Sequence, residues 1–384
     1  MMLPVYFNAV PLLLPKTGIR QYAYQLLKQL QRMQEIEAHY FYLVGWSDQL
    51  LEGSAAERPS KLWHFKNMLR NYVPMSLEIQ HRLRGNMFRR GLDQARGGIY
   101  HELNFLPFET KLPTVVTVHD LSVLRYPQTH PAARVKFMEK RLADAVQGAA
   151  FVLTDSEYVR QEVITEYSVP ESRVVTVLLA ASEGYRPQSY EMLNGVLARY
   201  NLACRGYFLS VGTLEPRKNL ATAIRAFAAL PDRMRKENNL VIVGMRGWEN
   251  TELDRILAPL LQRGEIRILG FVPDDELPAL YSGATAFIYP SLYEGFGLPP
   301  LEAMACGTPV ISSNRASLPE VVGEAGITVD ALDVDGLRDA MRRLIENPEE
   351  RELFSRQGLL RSKLFSWQRT AEETAAVYRA AVQI

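Results

Sequence analysis

Short apolar runs alternate with amphipathic stretches along most of the chain, a pattern that predicts strands followed by helices. Residues 3–8 read as a first strand, 20–33 as an amphipathic helix and 40–45 as a second strand. Residues 114–118 form a run that suits a strand covered on both faces. Residues 151–154 read as another strand, 156–167 as a helix capped by Asp155 or Ser156, and 174–179 as a short strand. The alternation then breaks. Residues 184–205 are polar, turn-rich and partly helical, and read as a linker. A second series begins with a strand at 207–211 and a helix at 219–230. Strands follow at 240–243, 266–269, 286–289, 310–312 and 327–329, and a last helix over 368–383. The expected architecture is α/β, with two Rossmann-like parallel sheets in domains 1–184 and 205–367. Their strands would end on a shared cleft, where such sheets bind ligands.

Composition narrows the class. A chain of 384 residues suits two domains. With 47% hydrophobic and 23% charged residues it reads as soluble and globular. A formal charge of +1 gives no general attraction to polyanions, and no recognition module points to nucleic acid. Cys204 and Cys306 are too few for a disulfide framework or a zinc site, which fits a reducing cytoplasm. Residues 1–14 lack a basic leader and are broken by Asn8 and Pro11, so no signal peptide is expected. No apolar run reaches the ~18 residues of a membrane span. Residues 61–96 stand apart: eight Lys or Arg face only Glu78 and Asp93, with Trp63, Phe65, Leu83 and Phe88 interleaved. Such a segment suits peripheral contact with the inner face of an anionic membrane, or a lipid-diphosphate acceptor. A solvated basic helix face accounts for it equally well.

The densest chemistry lies in Glu294-Gly-Phe-Gly-Leu-Pro-Pro-Leu-Glu302. A carboxylate sits on a strand-to-helix loop, with backbone laid open at Gly295 and Gly297. Proline suits the start of the helix, whose first-turn N–H groups and positive dipole end face a phosphate. Glu302 is placed in that first turn. Phosphate on N–H groups with carboxylates for hydroxyls would hold a nucleotide sugar. Val211-Gly-Thr-Leu-Glu-Pro-Arg-Lys-Asn219 is a strand end, a glycine turn, two cations and a helix start. Arg217 would clamp phosphate oxygens through two donors while Lys218 adds a point charge. Thr17-Gly18-Ile19 opens another helix towards the diphosphate. Asp333-Val-Asp335 looks like a metal motif, but Asp335 precedes a helix start and reads as its N-cap. No metal is expected.

These motifs carry a resemblance. Residues 291–310, with Glu-X7-Glu at their centre, resemble the retaining glycosyltransferases of family 4, which have the two-domain glycosyltransferase B fold. The resemblance implies Glu294, Arg217, Lys218 and His119 as catalytic residues, His119 through the transferred sugar. It implies Gly18, Gly212, Val272, Gly295, Phe296, Gly297, Leu298 and Glu302 as donor-binding residues. Val272 would serve through the 270–273 loop, whose backbone packs on the nucleobase, and Gly244 matches a second glycine turn beside Trp248. Thr213 stands where some members carry an Arg, and Thr17 where many carry a Gly. The final segment, 368–384, would pack back on the N-terminal domain. A nucleotide-sugar donor, a glycan or lipid-linked acceptor and no cofactor are implied. Thr17-Gly-Ile and the run 315–323 resemble mannosyl- and rhamnosyltransferases of bacterial surface polysaccharides, which implies a GDP-linked donor. Other expectations are a UDP-hexose or GDP-rhamnose donor, or a nucleotide-sugar 2-epimerase. A Rossmann dehydrogenase is excluded, because residues 8–19 lack Gly-X-Gly-X-X-Gly.

Overall fold

The computed structural model describes residues 2–13, 17–43, 45–51, 74–92, 97–213, 215–244 and 251–383. Trp248 and residues 61–73 and 93–96 of the basic segment lie outside them. The chain divides into two units, Met1–Leu179 with Trp367–Ile384, and Ala180–Ser366.

The first unit holds a seven-stranded sheet: β1 (Leu3–Asn8), β2 (Ile36–Phe41), β3 (Trp46–Ser47), β4 (Ile99–Glu102), β5 (Thr114–Val118), β6 (Phe151–Thr154) and β7 (Val174–Thr176). Its order is β3-β2-β1-β4-β5-β6-β7. All pairs are parallel except the β2–β3 hairpin at one edge. β2 starts four residues before the expected strand. Ile36 pairs with Leu3, while exposed Glu37 and half-buried His39 make this a strand with one polar side rather than an apolar run. The helix Gly18–Leu30 begins at Thr17, whose hydroxyl accepts from Arg20 N, and buries Tyr22, Ala23, Leu26, Leu27 and Leu30. Valines of β5 and β6 pack with Met138, Leu142 and Val146 of the helix Ala132–Gly148.

β4 is the least expected strand, since Ile-Tyr-His-Glu carries two ionisable groups, yet all four residues are buried. Both groups are bonded. His101 Nε2 lies 2.8 Å from Thr117 Oγ1, which lies 2.8 Å from the Tyr22 hydroxyl. His101 Nδ1 lies 2.6 Å from the Tyr378 hydroxyl. Tyr378 belongs to the final helix Trp367–Ala381, which packs on the helix Gly18–Leu30. Burial, and then the charge of nearby His119, hold the His101 pKa down to about 3, so the ring is neutral and bonds through one donor and one acceptor.

The second unit holds β8 (Tyr207–Val211), β9 (Asn239–Val243), β10 (Ile266–Gly270), β11 (Ala286–Tyr289), β12 (Val310–Ser313) and β13 (Ile327–Val329). They form one parallel sheet in the order β10-β9-β8-β11-β12-β13. Phe208, Leu240, Ile242, Ile288 and Ile311 meet Ile224 and Phe227 of the helix Leu220–Ala228 and Leu337, Met341 and Leu344 of the helix Val334–Glu346. Residues 180–205, expected largely as linker, belong to this unit. Ser189 caps the helix Tyr190–Arg199, which buries Leu193, Val196 and Leu197 and packs on the helix Leu277–Gly283.

Tyr378→Phe should leave a buried imidazole nitrogen without its partner and lower stability by about 1–3 kcal/mol. Urea unfolding of the whole chain measures this, with the far-ultraviolet spectrum of the folded protein unchanged.

Candidate functional site

In the second sheet the chain runs from β8 to β9 on one side, and from β11 to β12 on the other. The strand order therefore reverses between β8 and β11, and the loops leaving their carboxyl ends diverge there, where parallel sheets bind ligands. The 3-10 turn Pro216–Lys218 follows β8, and Glu294 follows β11. The two loops are stitched together. Leu292 N donates to Arg217 O at 2.9 Å. Asn219, at φ 54, donates its amide to Pro290 O at 3.0 Å and Ala331 O at 2.5 Å. Asn tolerates that left-handed backbone better than most residues.

Glu294 is 7% exposed and meets both cations. Lys218 Nζ lies 2.6 Å from its Oε1, and Arg217 Nη1 lies 3.1 Å from its Oε2. The Tyr289 hydroxyl donates to Oε1 at 2.9 Å. Arg217 also donates to Tyr293 O at 2.6 Å and Glu215 Oε1 at 3.1 Å. Burial alone would raise the Glu294 pKa; Lys218 and then Arg217 reverse this and pull it down to about 2. The carboxylate stays ionised, with both cations expected to meet phosphate engaged on it. Removing either partner of such a buried pair costs about 3–5 kcal/mol, because the other is left uncompensated.

The helix Leu298–Ala305 carries the second carboxylate. Glu302 is its fifth residue, so it stands beyond the first turn in which it was expected. Its Oε2 accepts from the Tyr281 hydroxyl at 3.1 Å, and the Tyr185 hydroxyl bonds it as well. The helix N-terminus also differs from expectation. Gly297 is the N-cap at φ 122, and a Cβ there would approach Leu318 Cδ2 to 2.9 Å. Pro299 and Pro300 have no N–H, so the helix start can offer an anion only the N–H groups of Gly297 and Leu298. The Ser317 hydroxyl braces this loop at 2.8 Å from Glu294 O and 2.7 Å from Phe296 O. Phe296 is buried edge-on against Phe365 at 5.9 Å, so its side chain anchors the loop.

Gly212 ends β8 at φ 147 beside Gly244 at φ 149, and a Cβ on Gly244 would overlap the Gly212 carbonyl oxygen. Side chains are excluded from that approach. Val272 is buried in the loop after β10.

The residues expected in the first unit stand by themselves. Gly18 is the exposed first residue of its helix. His119 follows β5, but both ring nitrogens are used within the unit. Nδ1 lies 2.8 Å from Asp155 Oδ2 and Nε2 lies 2.9 Å from Leu103 O. Burial lowers its pKa, and the Asp155 carboxylate more than reverses that, so the net shift is upward. A carbonyl only accepts, so Nε2 carries a proton. Both ring nitrogens are thus engaged within the unit. Asp333, rather than Asp335, caps the helix Val334–Glu346, accepting from Gly336 N at 2.9 Å, while Asp335 pairs with Arg338 at 2.7 Å. Among the described residues no group of three or more His, Cys, Asp or Glu is placed to hold a metal ion.

Four tyrosine and serine contacts were not legible beforehand. Tyr289 lies in the strand expected at 286–289, Tyr185 in the stretch expected as linker and Ser317 in the run 315–323, and none of these placements points to a carboxylate or loop partner. The available signal was that Tyr289 closes its strand five residues before Glu294.

Residues 204–361 match the family model of the group 1 glycosyl transferases, and residues 16–178 match that of glycosyltransferase family 4. O-antigen chain mannosyltransferase B of Escherichia coli is 38% identical over 98% of this chain and 99% of its own. Sucrose-phosphate synthase from Thermosynechococcus elongatus superposes with a TM-score of 0.76 at 21% identity, over 98% of each chain. HepE of Anabaena, crystallised in complex with UDP-glucose, gives 0.72 at 14% identity over 99% of this chain and 100% of its own. The chain belongs to the family 4 glycosyltransferases and is a hexosyltransferase with the glycosyltransferase B fold.

A depressed carboxylate contributes stability above its unfolded pKa, about 4.3, and loses it as pH falls towards its folded pKa. The Glu294 share, on the order of 3 kcal/mol, should thus be lost only between about pH 4 and pH 2. Lys218→Met should move that loss to higher pH, as measured by chemical denaturation at pH 3 to 6 with wild type as reference.

Proposed function

We propose that this enzyme transfers a mannosyl group from GDP-mannose, with retention of configuration and without a metal ion, to a glycan or lipid-linked acceptor of bacterial surface polysaccharide. The observation that carries the reading is Glu294, ionised between Arg217 and Lys218 where the strand order of the second sheet reverses. The mannosyl donor is supported by the O-antigen chain mannosyltransferase B relative.

In this reading the departing diphosphate is met by Lys218 and Arg217 and by the N–H groups of Gly297 and Leu298, with the Gly212 turn beside it. These groups are fixed before the substrate arrives, so little reorganisation is spent as charge develops on the leaving oxygen. Glu294 then accepts from sugar hydroxyls and Glu302 from the ribose hydroxyls. The main chain of the loop around Val272 frames the base. The acceptor oxygen attacks from the face the diphosphate leaves, and a donor phosphate oxygen takes its proton. His119, bonded on both ring nitrogens, keeps its loop in place.

Contact with an anionic membrane fits the helix Pro74–Leu92. Its buried Phe88 packs with Phe41, Tyr100 and Phe108, and Ile79, Leu83 and Met87 stand exposed four residues apart, beside exposed Arg82, Arg89 and Arg90. Among the described residues no helix is long and apolar enough to cross a membrane.

Radiolabel transfer from GDP-mannose to a lipid extract should persist in excess chelator and fall by about 10³-fold in Glu294→Ala, assayed at a temperature where circular dichroism shows this less stable variant still folded. Activity with UDP-hexoses but not GDP-mannose would overturn the donor assignment, and activity restored only by magnesium or manganese would overturn metal independence. The protein should float with phosphatidylglycerol vesicles but not with neutral ones, and Leu83→Glu should abolish flotation.

A further inference from the structure

Lys218 and Glu294 share a third partner. The Tyr289 hydroxyl accepts from Lys218 Nζ at 2.6 Å and donates to Glu294 Oε1 at 2.9 Å. With the direct 2.6 Å Lys218–Glu294 contact, the three groups close a triangle. Tyr289 is the last residue of β11, 2% exposed, with its ring stacked on Phe287 at 5.6 Å between centroids. A ring so placed has almost no surface for a substrate, so any effect on transfer must pass through its two partners. The strand and the stacked ring fix the hydroxyl more firmly than the four-carbon stem of Lys218 fixes its ammonium. Burial and the adjacent Glu294 push the phenol pKa well above its ordinary value, so the hydroxyl keeps the proton it donates.

We infer that Tyr289 is a positioning residue that holds the Lys218 ammonium and the Glu294 carboxylate in register for the donor. The inference rests on the donor-site reading given above. An ammonium has three N–H donors, of which Tyr289 and Glu294 take two, so the third can reach a phosphate oxygen while the other two stay in place. If Lys218 swings further onto the diphosphate, Glu294 Oε1 keeps the Tyr289 hydroxyl and the carboxylate holds its orientation towards the sugar. Without the hydroxyl, Lys218 would be tethered by Glu294 alone. Each ligand contact made by one would then disturb the other.

The test is a double-mutant cycle on the whole enzyme with Tyr289→Phe, Lys218→Met and the pair. It reads kcat, donor KM, GDP affinity by calorimetry and the melting temperature. Tyr289→Phe keeps the ring, so it should melt close to wild type. It should lower kcat about tenfold, the scale of one charge-assisted hydrogen bond, with donor KM within about twofold. In the Lys218→Met background the same change should alter kcat by clearly less than about tenfold, because one of the two partners it acts through is gone. A Tyr289→Phe enzyme within about twofold of wild type, or a loss repeated in full in the Lys218→Met background, overturns the inference. If Lys218→Met leaves both GDP affinity and turnover unchanged, the donor-site reading itself fails, which separates the two outcomes.

Discussion

A buried carboxylate kept ionised by two flanking cations is the constraint around which the second unit is arranged. Glu294 is affordable at 7% exposure only because Lys218 and Arg217 reach it within hydrogen-bonding distance. That in turn requires β8 and β11 to be neighbours whose loops diverge. It also requires the two loops to be locked by Asn219 and by the Leu292–Arg217 main-chain bond. The ligand-free site is thus close to electrically balanced, with Glu215 and Glu294 facing the two cations. Each cation is thus held in place by an internal carboxylate partner.

Much of this was legible in the residue pattern. The strands at Leu3–Asn8, Thr114–Val118, Tyr207–Val211 and Ala286–Tyr289 have apolar runs that no helical period explains, and they lie where those runs predict. Gly-Phe-Gly after Glu294 marked the loop, and Arg217-Lys218 marked the turn. β4 was missed for a physical reason. Its His and Glu look like surface residues until their partners are known, and those partners are 16 and 277 residues away for His101 and 94 away for the Glu102–Asn8 bond. The helix Tyr190–Arg199 sits in a stretch whose flanking turns read as linker, and three spaced residues, Leu193, Val196 and Leu197, do its packing. The proline pair after Leu298 was visible, but its cost to the anion site became plain only once the N-cap was placed at Gly297.

Both units put their polar bonding at the point where strand order reverses. In the first sheet that point lies between β1 and β4. Asn8 Nδ2 there donates to Glu102 Oε2 at 2.8 Å, the Tyr100 hydroxyl donates to the same oxygen at 2.6 Å, and Asn104 N donates to Oε1 at 3.0 Å. Burial raises the Glu102 pKa to about 8 despite these bonds, whereas Glu294 is held at about 2. The difference is the nature of the neighbours: neutral donors in one case, full positive charges in the other.

The bond between His101 and Tyr378 spans 277 positions of the chain, and the helix that carries Tyr378 follows the whole of the second unit. During synthesis the ribosome releases the first unit's strands early, yet one covering helix arrives only after the whole of the second unit has emerged. Until then a neutral imidazole and the Phe7 side chain beside it lack the phenol that closes them over. The first unit is therefore completed only after the second, although most of it is made earlier.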